Sequence, residues 1–157
     1  MFTIATIVPT DGWAVFDGWL RQSLERIQST GLVSQVVIGF GNRATNIAHK
    51  YNKVLEAANG PVIFTHHDVR FTEQFLKRAL EELGKSDVAV VGAVGRTEKA
   101  IEPCLGLIEP LDVLTVDCAL FAVNANQGFR FDDVTFDSFH LYAEDYCCQV
   151  RQDKRRV

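Results

Sequence analysis

Three polar residues, His66, His67 and Asp68, close the apolar run Pro61-Val62-Ile63-Phe64-Thr65. Side chains of these types bind metal ions or move protons. So short a run of β-branched and aromatic residues predicts a strand buried on both faces. Open α/β sheets keep their ligand sites just beyond the carboxyl ends of such strands. Neighbours on an extended backbone point to opposite sides, so His66 and His67 are poorly placed to share an ion, whereas His66 and Asp68 face the same way. Asp68 alone can hold a hard divalent cation when diphosphate oxygens and water fill the other positions. Satisfied surface histidines and a turn-capping aspartate account for the same residues equally well.

Glu144-Asp145 forms a second constellation, near the start of the last expected helix. Carboxylates there either answer the helix dipole or supply a general base that takes a proton from an attacking hydroxyl. His140, Tyr142, Phe136 and Phe139 suggest a partly enclosed setting, which tunes a carboxylate. Gly39-Phe40-Gly41-Asn42-Arg43-Ala44 fits the dinucleotide pattern G-x-G-x-x-A. It follows the second strand rather than the first, so a permissive turn near a ligand is the better reading.

The elements that must position these groups alternate along the chain. Phe2 to Val8 reads as the first strand, with Pro9-Thr10-Asp11-Gly12 as its exit. A helix is expected from Trp13 to Ser29, because Trp13, Phe16, Leu20, Leu24 and Ile27 repeat at helical spacing. Val33 to Phe40 is the second strand. Asn46 or Thr45 caps the next helix, which carries Ile47, Tyr51, Val54, Leu55 and Ala58 on one face and ends at Asn59-Gly60. Thr72 caps a helix ending at Gly84, and Asp87 to Val94 is a fourth strand. Residues 96–114 read as a loop or hairpin, and Thr115 to Val123 as one further strand. Phe129, Phe131 and Phe136 are aromatic anchors, and a final helix begins near Tyr142 or Ala143. The alternation predicts an α/β fold with a parallel sheet covered on both faces.

Composition narrows the function. The 157 residues argue for one domain spanning 1–157, and 47% of them are hydrophobic, enough for a folded core. A formal charge of −4 and a pI near 5.5 speak against nucleic acid, whose phosphates need a basic field. The one basic cluster, Lys154-Arg155-Arg156, reads as a solvated, frayed end that can touch an anionic membrane. Cys104, Cys118, Cys147 and Cys148 lack the spacing of a zinc or redox motif and read as reduced thiols of a cytoplasmic protein. The apolar N-terminus has no basic flank and reads as a strand, not a signal peptide, and no apolar run is long enough to span a bilayer.

Read together, the segment from Asn46 to Val69 resembles the central part of family-2-like glycosyltransferases. In these an asparagine-bearing helix and a glycine precede an apolar strand that runs into an Asp-x-Asp metal motif. One branch carries His-x-Asp instead, and Phe139 to Cys148 resembles that branch's later phrase. Val91 to Gly95 and Val116 to Val123 are similar to its intervening strands. The resemblance covers most of the chain in the right order. It implies a Rossmann-like three-layer sandwich with a mostly parallel mixed sheet, of the nucleotide-diphospho-sugar transferase type. It also implies a nucleotide-sugar donor, Mn²⁺ or Mg²⁺, and inverting transfer to an unknown acceptor hydroxyl. By this resemblance Asp68, with His66 and His140, would hold the metal. Asp145, with Glu144 beside it, would be the base. Pro9, Asn42, Asn46, His66, His67 and Asp117 would border the donor.

Two departures set a rival beside this reading. Asn42 stands where relatives carry an acidic residue for the nucleobase, and the chain stops soon after the helix of Glu144 and Asp145. Both fit a non-catalytic nucleotide or nucleotide-sugar binding module of the same fold. A dinucleotide-dependent oxidoreductase using the Gly39–Ala44 turn is a third reading, with less behind it.

Overall fold

A computed structural model describes residues 1–42, 45–98, 101–103, 110–137 and 141–157. Its centre is a five-stranded sheet in the order β2-β1-β3-β8-β4. These strands are β1 (Phe2–Pro9), β2 (Val33–Gly41), β3 (Pro61–His66), β4 (Val90–Gly92) and β8 (Leu120–Asn124). β1 pairs in parallel with both β2 and β3. β8 runs antiparallel to β3 and to β4, so four strands point one way and β8 alone opposes them. A small second sheet, β6-β5-β7, joins β5 (Val94–Arg96), β6 (Ile101–Pro103) and β7 (Thr115–Val116). The fold is therefore α/β with a mixed sheet whose core is parallel.

Helices cover both faces. On one side lie α1 (Trp13–Gly18), α2 (Leu20–Gln28) and α4 (Glu73–Leu83), packing Phe16, Leu20, Ile27, Leu76 and Ala79 onto Ile4, Val8 and Ile63. On the other lie α3 (Ile47–Ala57) and α5 (Tyr142–Gln152), packing Tyr51, Leu55, Tyr142 and Tyr146 onto Ala5, Val62, Phe64 and Phe121. Alternate residues of β1 and β3 thus serve opposite cores, as a strand buried on both faces requires. Asn46 caps α3 by accepting from His49 N at 2.8 Å, and Thr72 caps α4 by accepting from Phe75 N.

Four expectations are corrected. The helix expected over Trp13–Ser29 breaks at Trp19, whose φ and ψ of −124° and −76° are not helical. Gly18 gives that turn little helical preference, and Arg70 exploits the break. Arg70 Nη2 donates to Gly18 O at 2.7 Å, and its guanidinium lies 4.7 Å from the Trp19 ring. Second, Thr115–Val123 is not one strand. Asp117 Oδ1 accepts from Ala119 N at 2.7 Å, and this local turn separates β7 from β8. Third, the strand expected over Asp87–Val94 pairs with β8 through Val90–Gly92 and a last bond from Ala93 N to Leu120 O, while Val94 begins β5 in the other sheet.

Fourth, the basic tail is docked rather than frayed. Arg156 N donates to Asp87 O at 2.7 Å, Arg156 bonds the carboxylates of Asp87 and Asp112, and Val157 is buried. Arg155 pairs with Asp153 at the surface, and Lys154 is exposed. Among the described residues no helix is long and apolar enough to cross a membrane.

Candidate functional site

Because β1 and β3 are parallel, their carboxyl ends share one edge of the sheet. Gly12, in the exit loop of β1, lies directly against His67. A Cβ on Gly12 would come within 2.9 Å of His67 Cδ2 and Nε2, and of Pro9 Cδ. Only glycine permits so close an approach. Asp68 is exposed in the turn that follows His67. His66 N donates to Ala119 O at 2.9 Å, which brings the β7–β8 turn, with Asp117 and Cys118, beside the end of β3.

The start of α5 completes this edge. Leu141 takes a left-handed φ of 67°, a costly conformation for a residue with a side chain, and turns the chain into the helix. Glu144 and Asp145 occupy its first turn, where negative charge is favoured. Their surroundings differ. Asp145 Oδ2 accepts from Gln149 Nε2 at 2.7 Å, along the helix surface. Glu144 turns toward the sheet, and its Oε2 is buried with no hydrogen-bond partner among the described residues.

Cys118 reports where the charges meet. Burial first, and then the negative charges of Asp117 and Glu144, push its thiol up to about 11. The same charge on Glu144 helps raise Tyr142, after burial and the effects of Tyr51 and Cys118. Two carboxylates 27 positions apart in the chain therefore throw overlapping negative fields on one thiol. Cys118 is held neutral at ordinary pH and is a poor nucleophile. The field suits a cation or a proton in transit.

The remaining predicted residues divide. Pro9, His66, His67, Asp68, Asp117 and Glu144 lie along this edge. His140 lies outside the described residues, as do Arg43 and Ala44 of the glycine turn. Asn42 is exposed, its backbone N–H donating to Thr45 Oγ1 at 2.8 Å. Asn46 is engaged at both ends of its side chain: besides capping α3, its Nδ2 donates to Asp133 O at 2.7 Å. Among the described residues no three His, Cys, Asp or Glu side chains are grouped to hold an ion. Exposed Asp68 still fits the hard-cation pattern in which one or two carboxylates bind and the substrate's phosphates supply the rest. Two cavities occur elsewhere, about 410 Å³ beneath α3 and about 330 Å³ beside β4, and neither is lined by Asp68, Glu144 or Asp145.

Sequence reasoning missed the clamp that α3 places on residues 131–133. Asn52 Nδ2 donates to Phe131 O and its Oδ1 accepts from Phe131 N, both at 2.9 Å. His49 Nδ1 lies 2.8 Å from Asp133 Oδ2. The i, i+3 spacing of Asn46, His49 and Asn52 on one helical face was the available signal.

The hydrogen bond from His49 is the chief reason the Asp133 carboxyl sits below its ordinary 3.8. The folded state therefore takes up this proton less readily than the unfolded chain. The stability involved is present above pH 3.8 and lost as pH falls through the depressed folded value. His49→Ala is expected to flatten the decline of the urea midpoint below about pH 3.8 without abolishing it, because Asp87 and Asp132 are also held low. An unchanged acid slope would count against the pairing. No protein-family model matches this chain, and no curated protein sequence matches it.

Proposed function

We propose that the chain is a metal-dependent glycosyltransferase, moving a sugar from a nucleotide-diphosphate donor to an acceptor hydroxyl, with inversion. One arrangement carries the reading: the bond from His66 N to Ala119 O holds the turn of Asp117 beside the end of β3, and the buried Glu144 carboxylate of α5 acts on Cys118 of that same turn. A bound Mn²⁺ or Mg²⁺ would neutralise charge on the leaving diphosphate. Asp68, exposed at the same edge, is the residue to hold it, and Asp117 borders the donor. A carboxylate from the first turn of α5 takes the proton of the acceptor hydroxyl. The geometry favours Glu144 for that role over Asp145, whose carboxylate is already engaged by Gln149.

Thermal shift against nucleoside diphosphates and nucleotide sugars, with and without Mn²⁺, tests the reading, because a ligand that binds only the folded state raises its apparent stability. Nucleotide-induced stabilisation is expected to require the metal, and Asp68→Ala is expected to remove that requirement together with most of the shift. A nucleotide shift that is equally independent of metal in both proteins rejects the role of Asp68. The second reading, a binding module without turnover, is favoured by Asn46, whose side chain is committed to the fold. It predicts the same thermal shifts with neither transfer nor donor hydrolysis.

A further inference from the structure

β2 is the outermost strand of the main sheet and pairs only with β1 among the described residues. Gly41 O accepts from Thr10 N on the β1 side. Backbone direction alternates along a strand, so the odd-numbered residues of β2 address β1 and the even-numbered ones face outward. Phe40 O accordingly meets Lys50 Nζ instead of β1. The N–H and C=O groups of Val36 and Ile38 are left at the open edge.

Natural edges are blunted by charge, proline or bulges. This one carries no charged residue and no proline from Ile27 to Asn42. The irregular register between Phe2 and Thr3 disturbs only its first residues, and Lys50 covers only Phe40. Val36, Ile38 and Phe40 are 40%, 37% and 60% exposed on one face, with Phe40 leaning on Trp13 at 5.5 Å.

We propose that this edge pairs with the same edge of a second copy of the chain, antiparallel, about a two-fold axis at Val37. That register sets Val36 opposite Ile38 of the other copy, and Ile38 opposite Val36. Each pair exchanges two N–H···O bonds, roughly four in all. It uses the outward groups that remain open and leaves the Lys50 contact intact. Residues of equal parity face one another, so the apolar stripes of the two copies become one stripe. A second copy is the occupant that fits because the strand itself is uncharged and self-complementary, and the register about Val37 keeps the Lys50 of each copy at opposite ends of the pairing. Like charges are not brought together there, although each chain carries −4 overall. The pairing would extend one sheet across both copies, an isologous arrangement.

Sedimentation or light scattering from micromolar to millimolar concentration tests this. The mass is expected to rise from 17.5 kDa toward twice that value. Ile38→Lys, with its circular dichroism unchanged, is expected to keep the chain monomeric. Val37→Cys supplies a second measurement that does not depend on that variant folding. Facing residues at such a position lie about 4.5 Å apart between Cα atoms, within the range of about 4.4–6.8 Å for a disulfide. Mild oxidation is expected to link Val37→Cys chains into dimers above the background of the unsubstituted protein, and not to link Gln35→Cys chains. A mass that stays at the monomer throughout overturns the proposal. So does a dimer that Ile38→Lys leaves intact and Val37→Cys does not cross-link.

Discussion

Glu144→Gln is expected to lower glycosyl transfer by about 10²–10⁴-fold, the usual contribution of general-base catalysis, while metal-linked nucleotide binding survives. Glutamine keeps the size of the side chain and removes its charge. The Cys118 thiol gives an independent readout, since its pKa of about 11 depends partly on Glu144. A thiolate absorbance titration should show that value falling in Glu144→Gln, which a merely unfolded or misplaced helix would not reproduce in step with retained nucleotide binding. Asp145→Asn is the necessary comparison. Its carboxylate already accepts a hydrogen bond from Gln149, so a smaller loss is expected there. A larger loss in Asp145→Asn would transfer the base role to Asp145. Full turnover in both variants would reject the proposed chemistry.

Phe131→Ala is expected to destabilise the fold by about 3–5 kcal/mol, the range for emptying a buried aromatic site. For a domain of this size that corresponds to a fall in melting temperature of roughly 6–20 °C. Phe131 is 2% exposed and meets five other rings: Tyr51, Phe64, Phe121, Tyr142 and Tyr146, at centroid separations from 4.9 to 6.2 Å. These rings belong to α3, β3, β8 and α5, so one side chain ties the start of α5 to the strands that carry His66 and flank Ala119. The clamp from Asn52 fixes its backbone from both sides. Alanine would leave an apolar void that the surrounding elements, each held by sheet or helix hydrogen bonds, cannot collapse to fill. A loss below about 1 kcal/mol would mean that the cluster closes without Phe131. If transfer activity is established, its loss in Phe131→Ala at temperatures well below melting would show that the ring cluster also sets the position of Glu144.

Local signals located most of the elements because they rest on short-range physics. The helical spacing of Ile47, Tyr51 and Leu55, with Asn46 as cap, places α3 nearly to the residue. The same holds for Thr72 and Leu76, Ala79 and Leu83 in α4, and for the doubly buried β3. The placing of His66, His67 and Asp68 at a strand's carboxyl end also follows from that pattern alone. Two of the failures turn on partners distant in the chain. Arg70 occupies the break at Trp19 from 52 positions away from Gly18. Arg156 finds Asp87 across 69 positions and turns an expected frayed tail into a docked one.

Alternating apolar blocks and capping residues were enough to dictate an α/β fold and to put its polar groups at the ends of strands, because each of those preferences acts within a few residues. Which carboxylate of Glu144-Asp145 turns inward, that Asn46, His49 and Asn52 find their partners in residues 131–133, and that β2 is left as an open edge all depend on how helices lie across the sheet. Those outcomes are set by packing and hydrogen bonds between segments tens of residues apart, which no local pattern encodes.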